Sequence, residues 1–143
     1  MKKYELTEET INVFGKTLHR IRATRDFSNV HAGDLGGFIE NELNLSHDRD
    51  TWVYGNALVY GNALVKGPRD IYWISCIGSR DGTTTFFRNA NNSISVSCGC
   101  FYGTIDEFAA TVTKTHGDNE HAQAYRHAIE IAKLRIKLED AES

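Results

Sequence analysis

From Trp52 to Gly67 the chain repeats itself every six residues: Trp52-Val53-Tyr54-Gly55-Asn56-Ala57, then Leu58-Val59-Tyr60-Gly61-Asn62-Ala63, then the partial copy Leu64-Val65-Lys66-Gly67. Ile39, Leu45, Thr51, Ala57 and Ala63 fall on one six-residue spacing, and Val53, Val59, Val65 and Ile71 on another. A repeat of this length is one supersecondary unit whose apolar face cannot be buried alone. The module must lean on the rest of the chain or on another subunit.

Small and branched residues recurring with Gly-Asn at each corner resemble the hexapeptide repeats of left-handed parallel β-helices, in which about three hexapeptides close one triangular coil. Upstream, Tyr4 to Thr7 opens a hairpin in which Ile11, Val13 and Phe14 lead through Gly15-Lys16 into the alternating strand pattern Leu18 to Arg22 and then Ala23. Asn29 to Gly37 supplies turn chemistry, with Gly33-Asp34 and Gly36-Gly37 read as positions of positive backbone angle. Gly67-Pro68-Arg69, with the only proline of the chain, is the internal boundary. The expected organisation is a β/hexapeptide-repeat module over 1–69 and a ligand-binding domain over 70–143.

The second half reads as a three-strand meander followed by two helices. Ile71 to Ile77 is apolar enough for a central strand, Asp81-Gly82 is a hairpin turn, and Thr83 to Phe87 has the branched and aromatic composition of a strand. After a turn at Asn89 to Asn92, Ile94, Val96 and Cys98 alternate with Ser93, Ser95 and Ser97. Thr104-Ile105-Asp106-Glu107 is a capping box, so a helix starts there, with Ile105, Phe108, Ala109 and Val112 at helical spacing. Gly117 breaks it, and a second helix runs from Glu120 to Leu138. Its apolar stripe is Tyr125, Ala128, Ile129, Ala132 and Ile136; a second stripe, Ile131, Leu134 and Leu138, exceeds what one sheet face covers and reads as a subunit interface. The fold class is α+β: an N-terminal β module with a short left-handed β-helix-like repeat, then an antiparallel β-meander packed with two C-terminal α-helices.

Bulk properties narrow the function classes. A chain of 143 residues buries roughly 70% of its unfolded surface and can fold without disulfides. The odd count of cysteines, Cys76, Cys98 and Cys100, predicts free thiols. A net charge of −3 argues against nucleic-acid polymers, whose binding rests on many Lys/Arg–phosphate contacts, but leaves room for a compact ligand with one or two phosphates. No apolar run of membrane-spanning length and no leader-like N-terminus is visible, so a cytoplasmic protein without membrane contact is expected.

No catalytic motif emerges. Cys98-Gly99-Cys100 with His116, His121 and His127 contains metal-ligand types without a second Cys-x-x-Cys, so no metal and no cofactor is assigned. No Ser or Cys sits in a nucleophile elbow, and a hexapeptide acyltransferase needs more coils and a histidine within them. Anion binding has more support. Arg80, in Gly78-Ser79-Arg80-Asp81-Gly82, and Arg88, at the end of the paired strand, have the guanidinium geometry that grips phosphate, or are solvated hairpin arginines. The donors at Thr104 can meet an anion or merely cap the helix. Phe101 and Tyr102 can stack on a base or fill the core. His116-Gly117-Asp118-Asn119-Glu120-His121 is dense in groups that bond sugars and base edges, or is a capped turn.

The runs Ile77 to Arg88, Val96 to Phe101, Gly103 to Phe108 and Ala128 to Arg135 together resemble a group of phage proteins similar to the first-described family of Thoeris anti-defence proteins, sponges for nucleotide second messengers. The likeness covers residues 70 to 138; Asp34 to Glu40, before the repeats, resembles a module of prophage proteins. The resemblance implies a non-enzymatic protein in the cytoplasm of an infected bacterial host. It would hold glycocyclic ADP-ribose, made by a TIR-domain sensor, without cleaving it. It further implies homo-oligomers from dimer to hexamer and a separate site for cyclic di- and trinucleotides of the CBASS systems. Under it, pyrophosphate goes to Arg80, Arg88 or Arg135, adenine to Phe101, Phe108 or Tyr125, and the riboses to the Asp118/Asn119 loop as a lid. Thr83, Thr85, Phe87, Thr104, His116, Gly117 and His121 complete the candidate set. The alternative is a structural or assembly protein whose hexapeptide module drives oligomerisation. An enzyme degrading the same messenger lacks a general-base constellation.

Overall fold

A computed structural model of the chain describes residues 2–99 and 101–138. It is an α+β protein that divides into two compact units, Met1–Pro68 and Arg69–Ser143. Each unit has its own four-stranded sheet, and both α-helices belong to the second.

In the first unit, β1 (Tyr4–Val13) and β2 (Lys16–Ala23) form an antiparallel hairpin turning at Phe14-Gly15, where both residues take positive φ. β3 (Leu35–Ile39) lies antiparallel to β2, and β4 (Leu58–Val59) lies parallel to β3. Gly36 and Gly37 belong to β3 and not to a turn, which corrects the sequence reading of positive angles there. The reason is space: a Cβ at Gly36 would sit 2.6 Å from the Val53 carbonyl oxygen, and one at Gly37 2.5 Å from that of Ala57. These glycines let the repeat backbone close on β3.

Both six-residue series are buried, from Ile39, Leu45, Ala57 and Ala63 to Val53, Val59 and Val65. Phe38 pairs with Leu58, Ile39 with Val59 and Leu45 with Val65, all parallel and all 20 residues apart. The corner glycines Gly55 and Gly61 take positive φ, and turns close from Ala57 N–H to the Tyr54 carbonyl and from Ala63 N–H to that of Tyr60. Asn44, 1% exposed, ties the segments together: its amide donates to the carbonyls of Gly61 and Ala63 and accepts from the N–H groups of Glu40 and Asn41.

The start of β1 is pinned to the same region. The Tyr4 hydroxyl donates to the Leu45 carbonyl at 2.6 Å, and its ring stacks on His47 at 4.0 Å. Lys3 is fully buried, its ammonium donating to the carbonyls of Arg49 and Thr51. Burial lowers its pKa to about 8, against the opposing pull of Asp50.

In the second unit, β5 (Ile71–Ile77), β6 (Gly82–Arg88), β7 (Ile94–Cys98) and β8 (Phe101–Thr104) form an antiparallel meander in chain order. The fourth strand is a correction to the three expected. Phe101 and Tyr102, expected to stack on a base or fill the core, lie in this strand: Gly99, with φ of 51°, begins a return that pairs Cys98 with Phe101 and Ser95 with Thr104. α1 (Ile105–His116) and α2 (Glu120–Arg135) follow. α2 stops earlier than the expected Leu138, since Ile136 is extended at ψ 122°. Phe86, Val96, Ile105, Phe108, Val112, Tyr125, Ala128, Ile129 and Ala132 meet in one core, so the apolar alternation of β7 faces the helical stripes. Among the described residues, no helix is long and apolar enough to cross a membrane.

Candidate functional site

α1 starts where its capping box dictates: the Thr104 hydroxyl accepts from Glu107 N–H at 3.1 Å, and Glu107 Oε1 accepts from Thr104 N–H at 2.8 Å. It stops at Gly117, whose φ of 62° favours glycine and whose N–H bonds to the Thr113 carbonyl. Asn119 then caps α2, its side chain accepting from Ala122 N–H at 3.0 Å. Two helices so closely joined bring Phe108, His116 and Tyr125 together.

There the protein holds an open pocket of about 120 Å³, lined by Cys98, Phe101, Phe108, Thr111, Val112, Thr115, His116 and Tyr125. Its walls are rings in mutual contact. Phe101 and Phe108 lie 5.2 Å apart, Phe108 meets Tyr125 edge-on at 5.3 Å, and His116 stacks on Tyr125 at 5.9 Å. His121 stands behind His116 at 5.5 Å. Thr111 and Thr115, one helical turn apart and exposed, bring hydroxyls to the lining.

The polar end of the pocket is Cys98 with Tyr125. The Thr84 hydroxyl donates to Cys98 Sγ at 3.1 Å, and Sγ lies 3.6 Å from the Tyr125 oxygen. Burial, then the hydrogen bond to Cys98, raises the Tyr125 pKa above the usual tyrosine value, so its hydroxyl is a neutral donor or acceptor. The turn after β5 abuts this hydroxyl, because Gly78 leaves room where any Cβ would collide with it.

Of the residues named from sequence, Phe101, Phe108, His116 and Tyr125 come together here, with His121 adjoining. Arg80 stands exposed in the turn that touches Tyr125, outside the pocket lining. Arg88 is 5% exposed and holds Asp70 at 3.1 Å, so its guanidinium is engaged within the protein. Thr85 and Phe87 are buried in β6, and Thr83 pairs its hydroxyl with Ser75 at 2.9 Å. Thr104 is a helix cap, and Arg135 is exposed at the end of α2. None of these lines the pocket. Cys100 lies outside the described residues, and Cys98 is a free, half-buried thiol at the pocket. Among the described residues, no group of three or more His, Cys, Asp or Glu side chains could hold a metal.

The loop residues expected to form a lid are tied by Arg126, which the sequence did not single out. It donates to Asp118 Oδ1 at 2.8 Å, to the Gly117 carbonyl at 2.6 Å and to the Thr113 hydroxyl at 3.2 Å. An arginine eight residues beyond its acid has no periodic signature. Thr111 and Thr115 did leave a signal, since both lie within one helical turn of Phe108 or Val112 on the face that leads to His116. No protein-family model matches this chain, and no curated protein matches it.

Proposed function

We propose that this chain binds and sequesters a nucleotide second messenger of the cyclic ADP-ribose type without cleaving it, seating the base in the ring-lined pocket of the second unit. The observation that carries the reading is the constellation of Phe101, Phe108, Tyr125 and His116 around one open cavity. Rings in edge and stacked contact form a surface for a planar heterocycle, and base–aromatic stacking is worth about 1–3 kcal/mol. A volume of about 120 Å³ suits one ring system and falls below the roughly 300–1,000 Å³ of pockets that enclose whole drug-sized ligands. The sugars and phosphates then lie over the rim, within reach of the Thr111 and Thr115 hydroxyls of the lining, with Arg80 in the turn whose Gly78 abuts Tyr125. The similarity of residues 70–138 to phage anti-defence sponges supports the choice of glycocyclic ADP-ribose. On this reading the protein works as a homo-oligomer in the infected bacterial cytoplasm, with cyclic oligonucleotides at a separate site.

A second reading, an assembly protein, draws on a different observation. The parallel pairing of β3 with β4 and the positive-φ glycine corners support a short left-handed β-helix-like coil in the first unit, an element that stacks on further copies.

The experiment that separates these readings incubates the protein with glycocyclic ADP-ribose, separates bound from free, heats the complex and chromatographs what is released. Depletion with intact return is expected, and Phe101→Ala and His116→Ala should each weaken it. Cleaved product sinks the sequestration reading in favour of an enzyme; no depletion leaves assembly in front.

A further inference from the structure

A count of protons at the polar end of the pocket leaves one without a partner. Thr84, Cys98 and Tyr125 form a chain: the Thr84 hydroxyl donates to Cys98 Sγ at 3.1 Å, and Sγ lies 3.6 Å from Tyr125 Oη. Each of the three side chains carries one proton it can donate. One is held in the Thr84–Cys98 contact and one in the Cys98–Tyr125 contact, whichever of that pair donates. Among the described residues neither the Cys98 nor the Tyr125 side chain has another hydrogen-bond partner, so a third proton remains. Both residues that can carry it line the pocket, and Thr84 behind them is fully buried, so this end of the cavity faces the interior.

Chemistry decides which group presents that proton to a ligand. A thiol is a weak donor and its sulfur a weak acceptor, whereas a phenol hydroxyl is a good donor. The stronger arrangement therefore runs from Thr84 to Cys98 to Tyr125, with the thiol donating to Tyr125 Oη and the phenol O–H turned to the ligand. Each donor in such a chain polarises the next. Burial keeps the Tyr125 hydroxyl protonated. Of the other lining side chains, Phe101, Phe108 and Val112 hold no polar atom, so an apolar ligand edge placed here strands the proton and an acceptor satisfies it. A purine joined to its sugar through N9, with the sugar over the rim, turns its far edge inward. In adenine the ring nitrogen on that edge is N1, an unprotonated acceptor.

We propose that Tyr125 is the residue that selects the base: its hydroxyl, supported by Cys98 and Thr84, donates to N1 of an adenine stacked on the pocket rings, so that the site takes adenine-type bases whose N1 is free. This rests on the seating of a base in the pocket. It assigns to Tyr125 a hydrogen bond in addition to a ring contact.

The test is calorimetric titration of the full chain with adenosine and with its 1-deaza, 3-deaza and 7-deaza analogues, in wild type and in Tyr125→Phe. Wild type should bind 1-deazaadenosine about three- to tenfold more weakly than adenosine, and the other two analogues much as it binds adenosine. In Tyr125→Phe, its fold checked by circular dichroism, adenosine should weaken by the same factor and lose its advantage over 1-deazaadenosine. A merely structural role for the hydroxyl would weaken all four alike and leave that advantage in place. If the variant does not fold, the wild-type series decides alone. Equal binding of all four by wild type, a loss confined to the 3-deaza or 7-deaza analogue, or an advantage that survives in Tyr125→Phe each overturns the assignment while the pocket still binds a base. No binding of adenosine by wild type overturns the seating of the base, and the assignment falls with it.

Discussion

Gly78 is the position where backbone conformation and the pocket meet, so Gly78→Ala tests the site's geometry through its contact with Tyr125. Its φ of +84° lies where L-residues are strained, a penalty of about 1–2 kcal/mol. A Cβ there would also overlap the Tyr125 hydroxyl and come within 2.9 Å of Tyr125 Cζ, and overpacking of this kind adds about 1–3 kcal/mol. The summed expectation is a loss of about 3 kcal/mol. It is measured by urea unfolding followed through helical circular dichroism, since α1 and α2 both belong to this unit. Tyr125→Phe removes the overlapping oxygen and leaves the backbone strain. In that background Gly78→Ala should cost at least about 1 kcal/mol less than in wild type, a coupling within the range of contacting pairs. A cost below about 1 kcal/mol in wild type, or an equal cost in both backgrounds, would refute the placement of this turn against Tyr125.

Two further perturbations probe the first unit. Lys3 titrates near 8 when folded and at 10.5 in the unfolded reference, so between these values the unfolded state binds more protons and stability rises with pH. The full effect is about 3 kcal/mol. It should emerge between pH 8 and 10, before Tyr4, whose pKa is raised by burial, opposes it as unfolded tyrosines ionise. Trp52 fluorescence during urea unfolding at about pH 7.5 and about pH 9.5, in a Trp73→Phe chain, should show this rise, and Lys3→Met should remove it. Asn44→Ala strands the carbonyls of Gly61 and Ala63 and the N–H groups of Glu40 and Asn41, and should destabilise the unit by about 2–4 kcal/mol in the same assay.

Much of the fold was legible because it is written in local terms. The period-two pattern of Leu18 to Arg22, the Thr104/Glu107 box and the Gly117 stop each act over a few residues, and each has the expected element at its place. What could not be read depends on approach between distant segments. Gly36-Gly37 looks like a turn to any local rule, and only the carbonyls of Val53 and Ala57, many residues away, make it a strand that must lack side chains. Lys3 would pass for a solvated N-terminal lysine until the Arg49 and Thr51 carbonyls close over it. β8 was hidden for the same reason, since its pairing with β7 follows a turn that Gly99 opens in the left-handed region.

The site divides along the same line, and the division bears on how it works. Residue types predicted a ligand loop at His116 to His121, yet helix geometry claims most of it: Gly117 ends α1, Asn119 starts α2 and Asp118 is held by Arg126. A loop so bonded is a poor candidate for a lid, because opening it would break two caps and a three-point guanidinium contact together. It is a good brace. By fixing the angle between α1 and α2 it holds His116 against Tyr125, and with them the ring-lined wall, in place before any ligand arrives. Under the proposed function, affinity then comes from a preformed surface and not from loop closure. Arg126→Ala should therefore weaken nucleobase binding by loosening the His116–Tyr125 stack, with Phe101 and Phe108 still in place. If ligand depletion by Arg126→Ala matched wild type, the brace argument would fail while the pocket itself still stood.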